Sequence, residues 1–464
     1  MPAVRLPFLI FFLLLFVVTL QNGQTHPVHK QRSVAARHNK FAAVPAHRWH
    51  SVAATRKKRS KAAAHRRHPV IPAHRALTDR PIRSIQTFPD TLRYRYINSE
   101  RNRIVNPDHL NKLSEKLKVA VLSEKKVVRI VHLGDSHIQA DMMTSVLRKG
   151  LQSRYGNAGR GILFPWQLAR TNAPSDVWSL SDKAWSAGRI SLVKSSVECG
   201  ISGYGLQSDF SDFVLEVGLK PGKGDDDAFD MVRLFTGKNS GTLNIRYNGA
   251  EEQVAGIAPG NAFCGEQIVL GMKTSSIALS RASPDSTSFQ FYGVSFEKKD
   301  AQGVIYHAIG VNGAEFASYN RTPLFYEQIG ALNADCYIIS LGTNEAQNQK
   351  LNPEDFGLQV RTMLANLKRI SPDAAFVITT PPPSFFHRDK INPAIQTVRD
   401  VLVKISNEEH ISLWDLYALA GGEAGQALFQ TYGFYRPDLL HFNRAGYELQ
   451  GDLLLSALLK ILDK

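Results

Sequence analysis

Apolar positions along the chain fall into distinct regimes. From Val127 a β-branched run (Val127, Val128, Ile130, Val131) gives way to the polar turn Gly134-Asp135-Ser136-His137. Helical spacing follows at Met142, Val146, Leu147 and Leu151. Strand, tight turn and helix in that order is how an open α/β sheet presents a side chain at the carboxyl end of a strand. Upstream, Leu110, Leu113, Leu117 and Val121 predict an amphipathic helix over Asn106–Lys125, and Arg160–Trp166 reads as a second buried strand. The C-terminal half repeats the alternation. Cys336–Leu341, Ala374–Thr380 and Ile411–Trp414 read as strands. Helices are expected over Asn352–Ile370 (Leu358, Met363, Leu364, Leu367), over Ile391–Asn407, and at the end of the chain (Leu449, Leu453, Leu454, Leu458). Between about Asn172 and Lys299 the period shortens. Phe213–Val217, Met231–Phe235, Leu243–Tyr247, Gln267–Leu270 and Ser288–Phe296 alternate between turn clusters such as Ala258-Pro-Gly-Asn261, as strands of a β-sandwich do. The expected fold is therefore α/β. Residues 86–171 and 300–464 form a doubly wound parallel sheet, and residues 172–299 insert a β-sandwich or jelly-roll module into it.

The N-terminal part is different material. Leu6 to Leu20 are almost wholly apolar behind Arg5, which fits a secretory signal peptide or an uncleaved N-terminal anchor over residues 1–25, although no Ala-x-Ala follows. Residues 26–85 are rich in Ala, His, Lys and Arg. Up to residue 85 the chain carries 16 Lys and Arg against one acid, Asp79, which leaves 40 of each sign in the remainder. The formal charge of +15 thus sits in the tail and the body is neutral. A segment so poor in large apolar residues cannot offset its ordering entropy and is expected to be disordered. It reads as a solvated tether, or as an adhesive for an anionic envelope surface. Nucleic acid is not an expected partner: the tail follows an export signal and offers only Phe41 and Trp49 for stacking.

A serine hydroxyl needs a base, and the base needs an orienting carboxylate. Asp438 and His441, three residues apart in the loop before the last helix, can supply both to Ser136. His137 is a rival base, but adjacent side chains point apart, so it is read as a turn residue or a substrate contact. Asp135 reads as an acceptor for turn N–H groups. Cys336 is expected to be a buried thiol, and Cys199 and Cys264, both within the insert, are candidates for a disulfide in an exported domain. No Cys/His spacing suggests structural zinc, and no cofactor is expected.

A Gly-Asp-Ser-His serine block at one end of a domain and Asp-x-x-His at the other resembles the SGNH (also called GDSL) hydrolases. Two further blocks match, Ile309-Gly-Val-Asn-Gly-Ala314 and Gly342-Thr343-Asn344-Glu345. The resemblance implies a flavodoxin-like three-layer fold and an oxyanion hole made by Ser136 N–H, Gly313 N–H and the Asn344 side-chain amide. The sandwich between the first two blocks resembles the periplasmic peptidoglycan O-acetylesterase branch, which also carries a Trp-Asp…Gly-Gly segment where this chain has Trp414-Asp415 and Gly421-Gly422. Trp414 is then either a sugar contact or part of the core. The implied function is an exported serine esterase, in the periplasm or cell envelope, that removes O-acetyl groups from an envelope glycan, foremost peptidoglycan. The alternatives are an acetylesterase on another polysaccharide such as xylan, and a non-catalytic glycan-binding protein of the envelope.

Overall fold

The central strand of the protein is the stretch with the strongest β-branched signature. In the computed structural model, which describes Ile97 and residues 100–464 apart from 123–125, 221, 223–227, 249–253, 284–286, 349 and 387–389, this is β1, Val127–Gly134. Seven of its eight residues are buried, as a strand covered on both faces requires. The other strands around it are β2 (Asn157–Leu163), β3 (Phe289–Glu297), β4 (Gly303–Gly310), β5 (Cys336–Ser340), β6 (Ala375–Thr379) and β7 (Ser412–Trp414). Their order across the sheet is β7-β6-β5-β1-β4-β2-β3. All neighbours are parallel except β2 and β3. Leaving aside β2 and β3, this is the flavodoxin-like order, and β1 stands at the switch point with β4 on one side and β5 on the other. A strand end at a switch point faces an open crevice, so Ser136 emerges where the topology leaves room for a ligand.

Helices cover both faces. The helices α1 (Asn111–Leu122), α3 (Met142–Tyr155) and α7 (Arg444–Leu462) pack Leu113, Leu117, Leu147, Leu151, Leu453 and Leu454 against Val128 and Ile130 of β1. On the opposite face, α4 (Pro323–Ile329), α5 (Pro353–Ile370) and α6 (Ala394–Glu408) bring Phe325, Val360, Leu364 and Leu402 to Val131 and Leu133. Alternate residues of one strand thus serve two helical layers. The one-turn helix α2 (Ser136–Gln139) lies between β1 and α3. Two expected core positions are corrected. Val121 is 46% and Leu358 61% exposed, each at the edge of its helix's apolar stripe. The first helix also starts later than expected, because Asn106-Pro107 opens a 3₁₀ turn over Pro107–Leu110 before α1.

From Val177 to Glu297 the strands are antiparallel. Five form a separate sheet in the order Val254–Ile257, Leu243–Arg246, Ser276–Arg281, Val214–Leu219, Val177–Ser181. The facing sheet is not separate: β3 pairs antiparallel with β2, so the parallel sheet runs on into the module. Phe213 stacks on Phe289 and Phe229 on Phe296 between or along these layers. One buried apolar cluster joins Leu215, Phe235 and Tyr292 of the module to Val131, Leu133 and Ile339 of the parallel sheet. A buried ion cluster spans the same junction. Arg129 on β1 and Arg233 in the module both hold Glu297, at 2.6 and 3.0 Å, and Glu297 is fully buried.

The expectations for residues 1–25 and 26–85 fall outside the described residues. Among the described residues no helix is long and apolar enough to cross a membrane, and no group of three His, Cys, Asp or Glu side chains could hold a metal ion. The Cys199–Cys264 pairing is corrected. Cys199 is a free, buried thiol whose Sγ turns into its own loop, 3.6 Å from Val197 O. The side chain of Cys264 lies outside the described residues. Burial pushes the Cys199 thiol up to about 12 and raises Cys336 as well, so both stay protonated and inert. Cys336 is a buried thiol, as its apolar strand implies.

Candidate active site

The serine is placed by the end of β1. Asp135 caps α2: its carboxylate accepts the His137 N–H at 2.8 Å, and its carbonyl accepts the Ile138 and Gln139 N–H groups at 3.2 Å. The short helix therefore closes directly over the strand ends. Gly310, in register with Gly134 on the neighbouring strand, admits this closure. A methyl group at Gly310 would lie 2.3 Å from the Gln139 nitrogen and 2.8 Å from the Asp135 carbonyl. Only glycine lets the serine turn lie there.

Ser136 is half-buried, and its Oγ is 2.8 Å from His441 Nε2. On the far side of the ring, His441 Nδ1 is 2.9 Å from Asp438 Oδ2. The second carboxylate oxygen, Asp438 Oδ1, accepts the backbone N–H groups of Leu440 and His441 at 3.0 and 2.9 Å. One carboxylate thus fixes both the loop and the imidazole. Burial pushes the Asp438 carboxyl up, but the backbone and ring hydrogen bonds from His441 outweigh it and hold the group below the usual range. It stays an anion beside the ring. Between the two residues, Leu439 has φ 52°, a left-handed backbone that a bulky side chain rarely adopts. That conformation folds the loop back so that Asp438 meets His441.

His137 is not in reach of Ser136 chemistry or of solvent. It is 4% exposed, its Nδ1 is 3.0 Å from the Tyr447 hydroxyl, and its ring lies 5.4 Å from that of His441. Burial lowers it to about 3, so it is neutral at any working pH. The reading of His137 as a substrate contact is therefore corrected: it forms the wall behind His441. Of the two readings of Trp414, sugar contact or core, the structure favours the core. Trp414 is 1% exposed, and its indole N–H donates to Asn102 at 2.9 Å, so it belongs to the core between α7 and the sheet edge.

The two remaining predicted residues converge on the same place. Gly313 has φ 76° in the exposed turn after β4. Asn344, in the turn after β5, donates its amide to Ala314 O at 2.8 Å and to Asp135 Oδ2 at 3.3 Å. The ends of β1, β4 and β5 are thereby tied together. Two acids in this knot carry perturbed protons. Burial pushes Asp135 up to about 7 and Glu345 up to about 8.

One supporting residue was not singled out from the sequence. Gln139 is buried and donates to Thr171 Oγ1 at 3.0 Å and Asn172 O at 2.8 Å. Its carbonyl oxygen accepts the Tyr204 hydroxyl and the Asn312 N–H, both at 2.7 Å. It joins the serine helix, the glycine turn and the module. Its only sequence signal is a polar residue one turn after Ser136 in an otherwise buried helix.

Known proteins can be set beside this geometry. Residues 285–449 match the GDSL-like Lipase/Acylhydrolase family, a stretch that contains Gly313, Asn344, Asp438 and His441 and lies beyond the module from Ser136. No curated protein matches the sequence. A solved structure of a peptidoglycan O-acetylesterase superposes with a TM-score of 0.62 at 20% identity, covering 79% of this chain and 98% of that one. A lipase/acylhydrolase from Enterococcus faecalis covers 33% of this chain and 75% of its own at 22% identity and a TM-score of 0.26. An acetylxylan esterase from Geobacillus stearothermophilus covers 34% and 73% at 16% identity and a TM-score of 0.28.

Proposed function

We propose that the chain is an SGNH-type serine hydrolase, and specifically an exported esterase that removes O-acetyl groups from a cell-envelope polysaccharide, foremost O-acetylated peptidoglycan; the match of residues 285–449 to the GDSL-like acylhydrolase family supports this reading. The observation that carries the chemistry is the unbroken relay Ser136–His441–Asp438, at 2.8 and 2.9 Å. His441 takes the Ser136 proton as Oγ attacks the ester carbonyl, and Asp438 holds the ring in the tautomer that leaves Nε2 free to accept it. Ser136 N–H, Gly313 N–H and the Asn344 amide face the oxyanion. The longer of the two Asn344 hydrogen bonds, 3.3 Å to Asp135, is the one that yields its N–H to the developing charge. His441 then protonates the leaving sugar hydroxyl. Water, deprotonated by the same imidazole, cleaves the acetyl-enzyme.

The substrate reading rests on architecture. The likeness to the peptidoglycan O-acetylesterase extends over nearly all of that chain, and the present fold continues the hydrolase sheet into its sandwich rather than tethering the sandwich loosely. Export and a role for the basic tail at an anionic envelope surface are part of the same proposal. They rest on the apolar stretch Leu6–Leu20 and on the charge of residues 26–85. The test is acetate release from O-acetylated peptidoglycan, with acetylated xylan as competitor and Ser136→Ala beside the wild type. Release from peptidoglycan that is lost in Ser136→Ala is the expected result. Release from xylan alone would discard the wall substrate and keep the relay. A folded wild type that leaves both and 4-nitrophenyl acetate untouched would overturn the esterase reading.

A further inference from the structure

We propose that a second cleft, between the module and α4, binds the part of the glycan that flanks the acetylated sugar. This inference rests on the polysaccharide reading above. The cleft encloses about 860 Å³, within the size range of ligand sites. Its walls mix hydrogen-bonding and apolar groups. Asn239 and Gln290 contribute amides, and Arg189, Arg321 and Lys238 contribute cations. Lys238 sits 4.9 Å over the ring of Phe263 and pairs with Glu327 at 3.2 Å. Leu192 and Val193, 46% and 81% exposed, form an apolar rim. A fatty acyl chain would meet guanidinium groups and carboxylates on these walls and lose its solvation benefit. A saccharide that carries acetamido groups and carboxylates fits them. Amides pair with its hydroxyl and acetamido groups, guanidinium groups with its carboxylates, and apolar rim residues with its ring faces.

The cleft is joined to the reaction centre through one short stretch. Arg189, Ile190 and Leu192 line the cleft, and Ser191 between them faces the oxyanion turn. A methyl group on Gly313 would lie 3.7 Å from Ser191 Cβ. Ser191 Oγ and Arg189 Nε are both buried without a hydrogen-bond partner, behind the cleft wall that Arg189, Ile190 and Leu192 form. Arg321 pins the stretch by donating to Ile190 O at 2.5 Å. In this proposal the stretch Arg189–Leu192 relates the two places, with the cleft along it and Gly313 beside Ser191, so that the module supplies part of the substrate site rather than a remote anchor.

The test uses the full chain with Asn239→Trp, which fills the cleft from an exposed position, and Lys238→Glu, which reverses the charge of an exposed side chain. Melting curves check that both fold. Steady-state acetate release is measured on O-acetylated peptidoglycan fragments and hydrolysis on 4-nitrophenyl acetate. The expected result is a fall of about tenfold or more in the ratio of the two kcat/KM values, carried mainly by KM for the polymer. A ratio unchanged in both variants, with the wild type active on peptidoglycan, would overturn the cleft proposal alone. A wild type that cleaves 4-nitrophenyl acetate but not peptidoglycan would overturn the polysaccharide reading and the cleft proposal with it.

Discussion

Asp438 does two jobs with two oxygens, and that division makes single-residue outcomes specific. Asp438→Asn keeps the size of the side chain but offers an N–H where the ring nitrogen needs an acceptor. It is expected to lower kcat by about 10⁴-fold, with KM for 4-nitrophenyl acetate little changed. A loss of less than about tenfold would mean that the carboxylate does not orient the base. Asn344→Ala removes one oxyanion donor and should cost about 10²–10³-fold in kcat. Glu345 makes a separate prediction about stability. Its ordinary value is 4.5 and its folded value about 8, so folding takes up a proton in between. The stabilisation is complete below the ordinary value and is lost as pH rises through about 8. Asp135, raised from 3.8 to about 7, acts in the same sense. Glu345→Gln has no proton to lose, so its melting temperature should fall less than that of the wild type between about pH 5 and about pH 9. Parallel curves would contradict the burial argument. At this scale the relay was legible because Asp438 and His441 share one loop and Ser136 sits in a punctuated turn. Gln139 was not, because its partners Asn172, Tyr204 and Asn312 are brought to it only by the tertiary fold.

At the scale of elements, α2 is the piece on which the site turns. It is four residues long and cannot be stable by its own hydrogen bonds. Asp135 from one end and Gln139 from the other hold it. Gln139→Leu would leave the buried Tyr204 hydroxyl and the Asn312 N–H without an acceptor. We expect a loss of about 2–4 kcal/mol in urea unfolding, from two unsatisfied groups, together with a lower kcat as the serine turn loosens. Unchanged stability would show that water replaces the amide without cost. Most elements were readable from periodicity, with boundaries shifted by one to three residues. Cys336–Leu341 became Cys336–Ser340, and Ile391–Asn407 became Ala394–Glu408. Val121 was placed in the apolar stripe by its spacing, whereas tertiary packing leaves it exposed at a helix edge, and the two readings of Trp414 are separated only by the packing that buries it.

For the whole molecule, the decisive feature was invisible to periodicity. Alternation identifies strands, but it does not say which strand they pair with, so nothing in Phe289–Glu297 announced that it would pair with Asn157–Leu163. The consequence is that the module is built onto the hydrolase sheet and shares its core. The Arg129–Glu297–Arg233 cluster fastens the two. Glu297→Ala would leave two largely buried guanidinium groups facing each other and should destabilise the protein by about 3–5 kcal/mol. Both parts should melt together in one transition. A variant in which the module melts first, while esterase activity persists, would show that the two are energetically separate.

The central claim is that an acetyl group passes through Ser136 on its way from sugar to water. The most direct measurement is rapid-quench peptide mass spectrometry of the wild type during the first turnovers of an O-acetylated substrate. The account predicts an acetyl adduct on the peptide containing Ser136, absent in Ser136→Ala. Turnover with the adduct on another residue, or with none trapped while acetate is released by Ser136→Ala at the wild-type rate, would contradict it.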